Sequence, residues 1–380
     1  MNNPKIWLSS PHMGGTELNY IHEAFNSNWI APLGANITEF EHDLEKYLSQ
    51  GVFVTALNSA TAAIHLGLIL LDVKAGDLVI CQSLTFSASA NPILYQGATP
   101  VFIDSELETW NLCPIALEAA IADCIYKGQI PKAIITVHLY GVPYKIEEIR
   151  AIANKYNIPI LEDSAEALGS SFKGQKCGTF GDIGVFSFNG NKIITTSGGG
   201  AIVTSNHQLK KKAQFLASQS KDEAPHYQHS EIGYNYQISN ICAGIGRGQM
   251  EVLDEHIKLR RAMHGFYLSL FENIPGITVF KTTNPDYFAN YWLTSIQVNP
   301  TETKNGIDRE TIRLKLLEYN IESRPLWKPM HLQPLFKNYP FYGNKVAETL
   351  FDNGLSLPSG SNLTHSDRDR IRMVLLKLLS

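Results

Sequence analysis

The chain has 380 residues, 44% of them hydrophobic and 18% charged, with a formal net charge of -4. Such a chain is long enough to bury a full core, and its length alone suggests about two domains. The balance of charge leaves no electrostatic footprint for nucleic acid. Cys81, Cys113, Cys124, Cys177 and Cys242 are odd in number and scattered without a C-x-x-C pair, which predicts neither a zinc site nor a secreted disulfide framework and fits a reducing cytoplasm. Residues 1–8 lack the apolar core of a signal peptide. The longest apolar stretch, Ala62 to Leu71, is broken by His65 and Gly67, so no membrane segment is expected. The histidines show no H-E-x-x-H or other ligand spacing, and no metal is expected.

In chain order, short β-branched runs alternate with segments of helical period between about residues 52 and 205. The run Val52-Phe-Val-Thr55 leads into Asn58-Ser59-Ala60-Thr61-Ala62-Ala63, which opens a helix. The backbone amides of Ala60 and Thr61 can then face a dianion, although an ordinary cap at Ser59 would read the same way. Leu78-Val-Ile-Cys81, Pro100-Val-Phe-Ile103, Ala133-Ile-Ile-Thr-Val137 and Ile158-Pro-Ile-Leu161 continue the alternation. It predicts an α/β fold, a mostly parallel sheet covered by helices. Beyond it come a strand over Tyr291 to Val298, a helix capped by Asp308 that carries Ile312 and Leu316, and a last helix opened by Thr364 and Asp367 in a capping box. The expected division is a large domain over residues 1–250 and a smaller α/β domain over 251–380, joined through the helical stretch Met250 to Leu270.

The stretch from Leu161 to Gly200 says most about chemistry. A buried strand ending at Leu161 would deliver Glu162 and Asp163 at its carboxyl end, where ligands gather in open α/β sheets. A second strand over Ile183 to Phe188 is followed by Ile193-Ile-Thr-Thr196 and a returning strand through Gly198-Gly-Gly-Ala-Ile-Val203, with Lys192 on the connection. A strand-end acid paired with a lysine in a serine- and glycine-rich turn is an outline for holding pyridoxal phosphate. In that outline Asp163 holds the ring nitrogen protonated, while a plain helix cap is the alternative for that carboxylate.

Phe186-Ser-Phe-Asn-Gly-Asn-Lys192, preceded by Asp163-Ser-Ala-Glu166, resembles the DegT/StrS-type sugar aminotransferases, which are fold type I pyridoxal phosphate enzymes. Asn28-Trp-Ile-Ala-Pro-Leu-Gly34, Asn58-Ser-Ala-Thr-Ala62, Thr85-Phe86, His138-Leu-Tyr-Gly141, Gly233-Tyr-Asn-Tyr236 and Lys328-Pro-Met-His331 recur in the family's order. The resemblance therefore covers nearly the whole chain. It implies that Lys192 is the Schiff-base lysine and proton shuttle and that Glu166 hydrogen-bonds the ring hydroxyl. Ser187, Ser59, Ala60 and Thr61 would bind phosphate, and Phe86 would stack on the ring. Asn235 would reach the phosphate of a partner subunit in a homodimer. Each has a plainer reading: a solvated helix face for Glu166, a satisfied strand serine for Ser187, a core phenylalanine for Phe86. Trp29, Arg324 and His331 are candidates for the sugar-nucleotide pocket.

The implied reaction moves an amino group from L-glutamate to the keto carbon of a nucleotide-linked deoxysugar. The motifs look nearest to enzymes aminating C4 of a UDP-linked 4-keto-6-deoxy-N-acetylhexosamine in bacillosamine-type pathways. Amination at C3, dehydration and a non-catalytic regulatory role are the alternatives. Some relatives that dehydrate carry histidine at the position of Lys192, so the lysine argues for amino transfer. Two positions depart from the family pattern: Gln237 stands where many members have arginine, and Ser197 where many have glutamate.

Overall fold

The computed structural model describes residues 4–379. An eight-stranded sheet forms the centre of the larger body, in the spatial order Phe53–Leu57, Gly200–Thr204, Ile183–Ser187, Ile160–Asp163, Ala133–Val137, Leu78–Gln82, Thr99–Ile103, Phe341–Tyr342. Gly200–Thr204 runs antiparallel to both of its neighbours, and every other pairing is parallel. The parallel strands are buried almost throughout, which explains why they read as continuous β-branched runs rather than alternating ones. Helices pack on both faces through separate apolar clusters, one centred on Leu66, Val79 and Ile183 and the other on Ile80, Leu117 and Ile149.

A second, antiparallel sheet is built from Ile277–Val279, Thr294–Val298, Gly354–Leu357 and Arg324–Pro325. Arg309–Glu318 and His365–Leu379 cover it, with Ile312, Leu316, Ile371 and Leu375 buried against the sheet residues Ile296 and Leu355. Their amino termini are closed as their local sequence dictates. Asp308 accepts from the Thr311 amide at 2.8 Å, while the amides of Thr364 and Asp367 are each bonded to the other residue's side chain.

Helix Asn240–Glu251 meets helix Leu253–Phe271 at Val252, without a loop between them. The second helix enters both cores, placing Leu253 and Ile257 in the large one and Met263, Tyr267 and Phe271 in the small one. Two segments run across the division expected at residue 250. Ile6 bridges to Ile321 and the Leu8 carbonyl accepts from Ser359, which ties the start of the described chain to the small sheet. Phe341–Tyr342 returns to the large sheet, where Asp104 accepts from the amides of Asn344, Val346 and Ala347 at 2.8–2.9 Å.

Arg260 lies where these parts meet and is 1% exposed. Its guanidinium donates to the carbonyls of Trp292 (2.8 Å), Ser359 (3.3 Å) and Lys192 (3.2 Å) and to Ser9 Oγ (3.0 Å). Arg260→Leu strands those acceptors in a dry interior and is expected to destabilise the protein by about 3–5 kcal/mol. Denaturant unfolding with an unchanged slope and a lowered midpoint is the expected readout. A midpoint within error of wild type would refute this account of Arg260.

Candidate active site

The strand Ile160–Asp163 ends at the carboxyl edge of the parallel sheet, and its pleat separates two adjacent acids. Glu162 points into the protein, fully buried, accepting from the amides of Gly178, Phe180 and Gly181 at 2.6–2.7 Å and contacting His138 Nε2 at 2.7 Å. It is consumed by structure. Asp163 faces a cavity of about 790 Å3 that lies between the two sheets. Ser89 Oγ donates to its Oδ2 at 2.6 Å and the Ala165 amide to its Oδ1 at 3.1 Å. Turns, and no helix, follow Asp163, so the carboxylate caps nothing.

Glu166 closes the next turn and is 3% exposed, not on a solvated helix face. Its Oε2 accepts from the Tyr140 amide at 2.6 Å and its Oε1 lies 3.3 Å from Lys192 Nζ. Burial pushes its carboxyl up to about 7, opposed by the Lys192 ammonium and the Tyr140 amide and assisted by Asp163. Between pH 4.5 and 7 the folded carboxyl keeps a proton that the unfolded one has released. Stability therefore falls as pH rises through that window. In the apoprotein, Glu166→Gln is expected to remove about 3 kcal/mol of that pH dependence relative to wild type. Parallel curves for the two proteins from pH 4.5 to 8 would contradict the assignment.

Lys192 sits in the turn after Ile183–Ser187, its amide donating to Asn189 O at 3.0 Å and its carbonyl held by Arg260. Its ammonium lies 4.0 Å from the centroid of the Trp292 ring, and Trp292 Nε1 donates to Asn191 O at 2.7 Å. Across the cavity the helix Ala60–Leu70 begins. Ser59 Oγ accepts from the Ala62 amide, and the helix itself supplies no acceptor for the amides of Ala60 and Thr61. Gly200 runs against this terminus so closely that a Cβ there would stand 2.4 Å from the Ala60 nitrogen. Ser59, Ala60, Thr61, Ser187, Gly198 and Gly199 all line the same end of the cavity. Phe86 is 56% exposed and borders the opening, its ring 5.6 Å from that of Trp327, so it is not a core residue.

The DegT/DnrJ/EryC1/StrS aminotransferase family model matches residues 11–375. The chain belongs to that family. It is 50% identical over 98% of its length to a proposed pyridoxal phosphate-dependent aminotransferase, EpsN of Bacillus subtilis (strain 168), covering 96% of that protein. It is 38% identical to the GDP-perosamine synthase of Escherichia coli O157:H7, covering 95% of this chain and 94% of the relative. Among solved structures, a proposed sugar aminotransferase of Streptococcus pneumoniae, Spr1654, superposes in its PLP form with a TM-score of 0.88 at 26% identity, covering 99% of this chain and 100% of the other. The same protein is known in a PMP form. The fold is that of the fold type I pyridoxal phosphate enzymes, and pyridoxal phosphate is the family's cofactor.

The residues of this chain fit that cofactor. Gly200 lets its strand pack directly against the Ser59–Ala60 backbone, and Ala60 and Thr61 line the cavity at the start of the helix, where a phosphate would meet donors without helical partners and the positive end of a helix. Asp163, held by two donors, presents a carboxylate to the cavity floor. Of the residues singled out from the sequence, Lys192, Asp163, Glu166, Ser187, Ser59, Ala60, Thr61, Phe86 and Arg324 line one cavity. Three do not. Trp29 is half exposed elsewhere, with its carbonyl bonded to Asn240. Asn235 lies at the surface, its carbonyl accepting from Asn58 Nδ2. His331 is turned away, bonded to Ser83 Oγ at 2.7 Å and stacked on Phe341 at 3.7 Å, which ties the Met330–Leu332 turn to the sheet instead of to the cavity.

Sequence reasoning passed over Trp292, Trp327 and Tyr140. Tyr140 belongs to the His138–Gly141 motif and takes a left-handed φ of 53°, a strained turn that aims its amide at Glu166. Its hydroxyl accepts from the Trp327 amide at 3.1 Å. Trp292 follows another left-handed residue, Tyr291, and no local pattern announces that its ring will meet Lys192.

Proposed function

We propose that this protein transfers the amino group of L-glutamate to C4 of a nucleotide-linked 4-keto-6-deoxy sugar, with a UDP-linked N-acetylhexosamine as the acceptor. The observation that carries the reading is the convergence of Lys192, Asp163, Glu166 and Ser187 on a single cavity of about 790 Å3. That space is large enough for a cofactor and a sugar together. When bound, pyridoxal phosphate supplies an aldehyde for amine exchange and a ring that withdraws electrons from the carbon losing a proton. Asp163 keeps the ring nitrogen protonated. Lys192 would hold the cofactor through its Nζ, and the same nitrogen, when free, would accept and return the proton that moves between carbon atoms. Glu166 orients the ring hydroxyl, and Ser59, Ala60, Thr61 and Ser187 hold the phosphate. Phe86 supplies a flat apolar face at the mouth.

Arg324, at the mouth and 68% exposed along its side chain, is paired with Glu322 at 2.8 Å and faces the region where the nucleotide would enter. Asn235, exposed and outside its own cavity, serves the partner's site in a homodimer. The reaction takes place in the cytoplasm. A GDP-linked acceptor is the second reading, supported by the 38% identity to the GDP-perosamine synthase over nearly the whole chain. Lys192 stands against dehydration, and an intact set of polar cavity residues stands against a purely regulatory role.

The test supplies purified protein with pyridoxal phosphate, L-glutamate and either UDP-linked or GDP-linked 4-keto-6-deoxy sugar, with product mass as the readout. An amino sugar from the UDP substrate supports the first reading, and one from the GDP substrate alone moves the assignment to the second. Glutamate-dependent spectral change with no aminated sugar from either would reject both acceptors. No spectral change on adding cofactor and glutamate would reject the enzyme.

A further inference from the structure

The amine of Lys192 has two neighbours that come from different parts of the chain. Glu166 Oε1 lies 3.3 Å from Nζ, and the centroid of the Trp292 ring lies 4.0 Å from it. Lys192 and Glu166 follow strands of the large sheet, whereas Trp292 stands just before Thr294–Val298 of the small one. Trp292 is 3% exposed, and each of its polar groups is bonded. Its amide donates to Asn290 Oδ1 at 2.8 Å, its carbonyl accepts from Arg260 at 2.8 Å, and its Nε1 donates to Asn191 O at 2.7 Å. A ring fastened in this way presents one fixed face to the cavity.

Asn290 joins the two neighbours of the amine. It is fully buried, and while its Oδ1 takes the Trp292 amide its Nδ2 donates to the carbonyls of Glu166 at 2.8 Å and Leu168 at 3.0 Å. Tyr291, between Asn290 and Trp292, has a φ of 48° and forms the tight turn that the Asn290 side chain closes. The backbone carrying the acid and the backbone carrying the aromatic face are thereby bracketed to each other. An ammonium over an aromatic face is attracted by the ring quadrupole, most strongly by tryptophan and more so where water is displaced. The Lys192 side chain is 12% exposed, so its charge has few waters to rely on.

We propose that Trp292 is a positioning residue that seats the amine of Lys192 whenever it is not attached to the cofactor. The ring face holds the ammonium inside the cavity, and the indole nitrogen fixes the turn from which the lysine extends. The proposal rests on the reading that Lys192 is the lysine that attaches the cofactor. In that reading Glu166 is engaged by the ring hydroxyl while cofactor is bound, so it does not serve as the seat by itself. Trp292 depends on no occupant of the cavity, because its three bonds are all to the protein. The released lysine therefore returns to one place, from which the same nitrogen gives back its proton.

Acetylation of the full-length protein loaded with pyridoxamine phosphate, in which Lys192 is unattached, tests the proposal. Acetic anhydride is the reagent, and mass spectrometry reads the rate at Lys192 against surface lysines of the same molecule. Trp292→Leu should be acetylated at Lys192 about fivefold faster than wild type, and Trp292→Phe, which loses the same indole nitrogen but keeps an aromatic face, within about twofold of wild type. Replacing all five tryptophans with 5-fluorotryptophan weakens the ring faces with little change of shape, and should speed acetylation about twofold at Lys192 and at Lys5, whose ammonium lies 3.6 Å from the Trp7 ring centroid. That arm decides the matter if Trp292→Leu does not fold. In single turnovers with L-glutamate both variants should slow at least about tenfold, with glutamate affinity within about twofold of wild type. Equal acetylation at Lys192 in wild type, Trp292→Leu and the fluorinated protein overturns the proposal, as do unchanged single-turnover rates. Borohydride reduction that fixes cofactor to another lysine would instead reject the reading beneath it.

Discussion

Lys192→Ala is expected to abolish amino transfer, with turnover reduced at least about 10^4-fold, while the protein stays folded. Among the described residues the lysine ammonium pairs with Glu166 and faces the Trp292 ring, whereas its carbonyl, which anchors Arg260, belongs to the backbone and survives the change. Loss of one ammonium beside Glu166 removes an influence that lowers the glutamate's pKa, so the carboxyl simply retains its proton over a wider pH range. Chemistry suffers for a different reason. In the proposed mechanism the attachment point and the base that moves the proton are the same nitrogen, and the other amine lining the cavity, that of Lys328, stands on a distant segment of the chain. Borohydride reduction should fix cofactor to wild type and not to the variant, and far-ultraviolet circular dichroism should match. Multiple turnovers by Lys192→Ala would remove the lysine from the mechanism.

For Asp163→Asn, a rate loss of about 10^3-fold, equivalent to about 4 kcal/mol in the barrier, is expected together with weaker cofactor retention. The substitution keeps volume; its single amide oxygen can still accept from the Ala165 amide, and its amide nitrogen can donate to the Ser89 hydroxyl, which can turn its own proton to Thr85, so folding should be nearly unchanged. What disappears is the negative charge of a carboxylate 6% exposed to solvent, which in the proposed mechanism would keep the ring nitrogen protonated. Single-turnover absorbance measurements with L-glutamate separate this effect from acceptor binding. Slowed proton transfer with a modest change in glutamate affinity is the expected pattern, and a rate within tenfold of wild type would refute the ion-pair role.

Trp292 adds a positioning element beside Lys192. Its ring centroid lies 4.0 Å from Lys192 Nζ, which also meets Glu166 Oε1 at 3.3 Å, and its indole nitrogen fastens the turn that carries the lysine. The same turn is held from below by Arg260, so the orientation of the lysine depends on residues about 70 and 100 positions further along the chain.

Most of the central sheet was legible without coordinates, because the parallel strands Leu78–Gln82, Ala133–Val137 and Ile183–Ser187 are buried on both faces and carry a local signature of β-branched residues. The caps at Asp308 and Thr364 were legible for the same reason, since each bond spans three residues. The pairing of Asp163 with Lys192 was recognisable from spacing and family resemblance within a single stretch of chain. Tertiary structure alone decided which of two neighbouring acids reaches the cavity, since the pleat sends Glu162 to three backbone amides and Asp163 to the site. It likewise turned His331 onto Phe341 and away from the cavity, and brought Trp292 to Lys192. Periodicity and capping are written in neighbouring residues, whereas the company a side chain keeps depends on how distant elements pack, and that is settled only when the two sheets close on their shared helix.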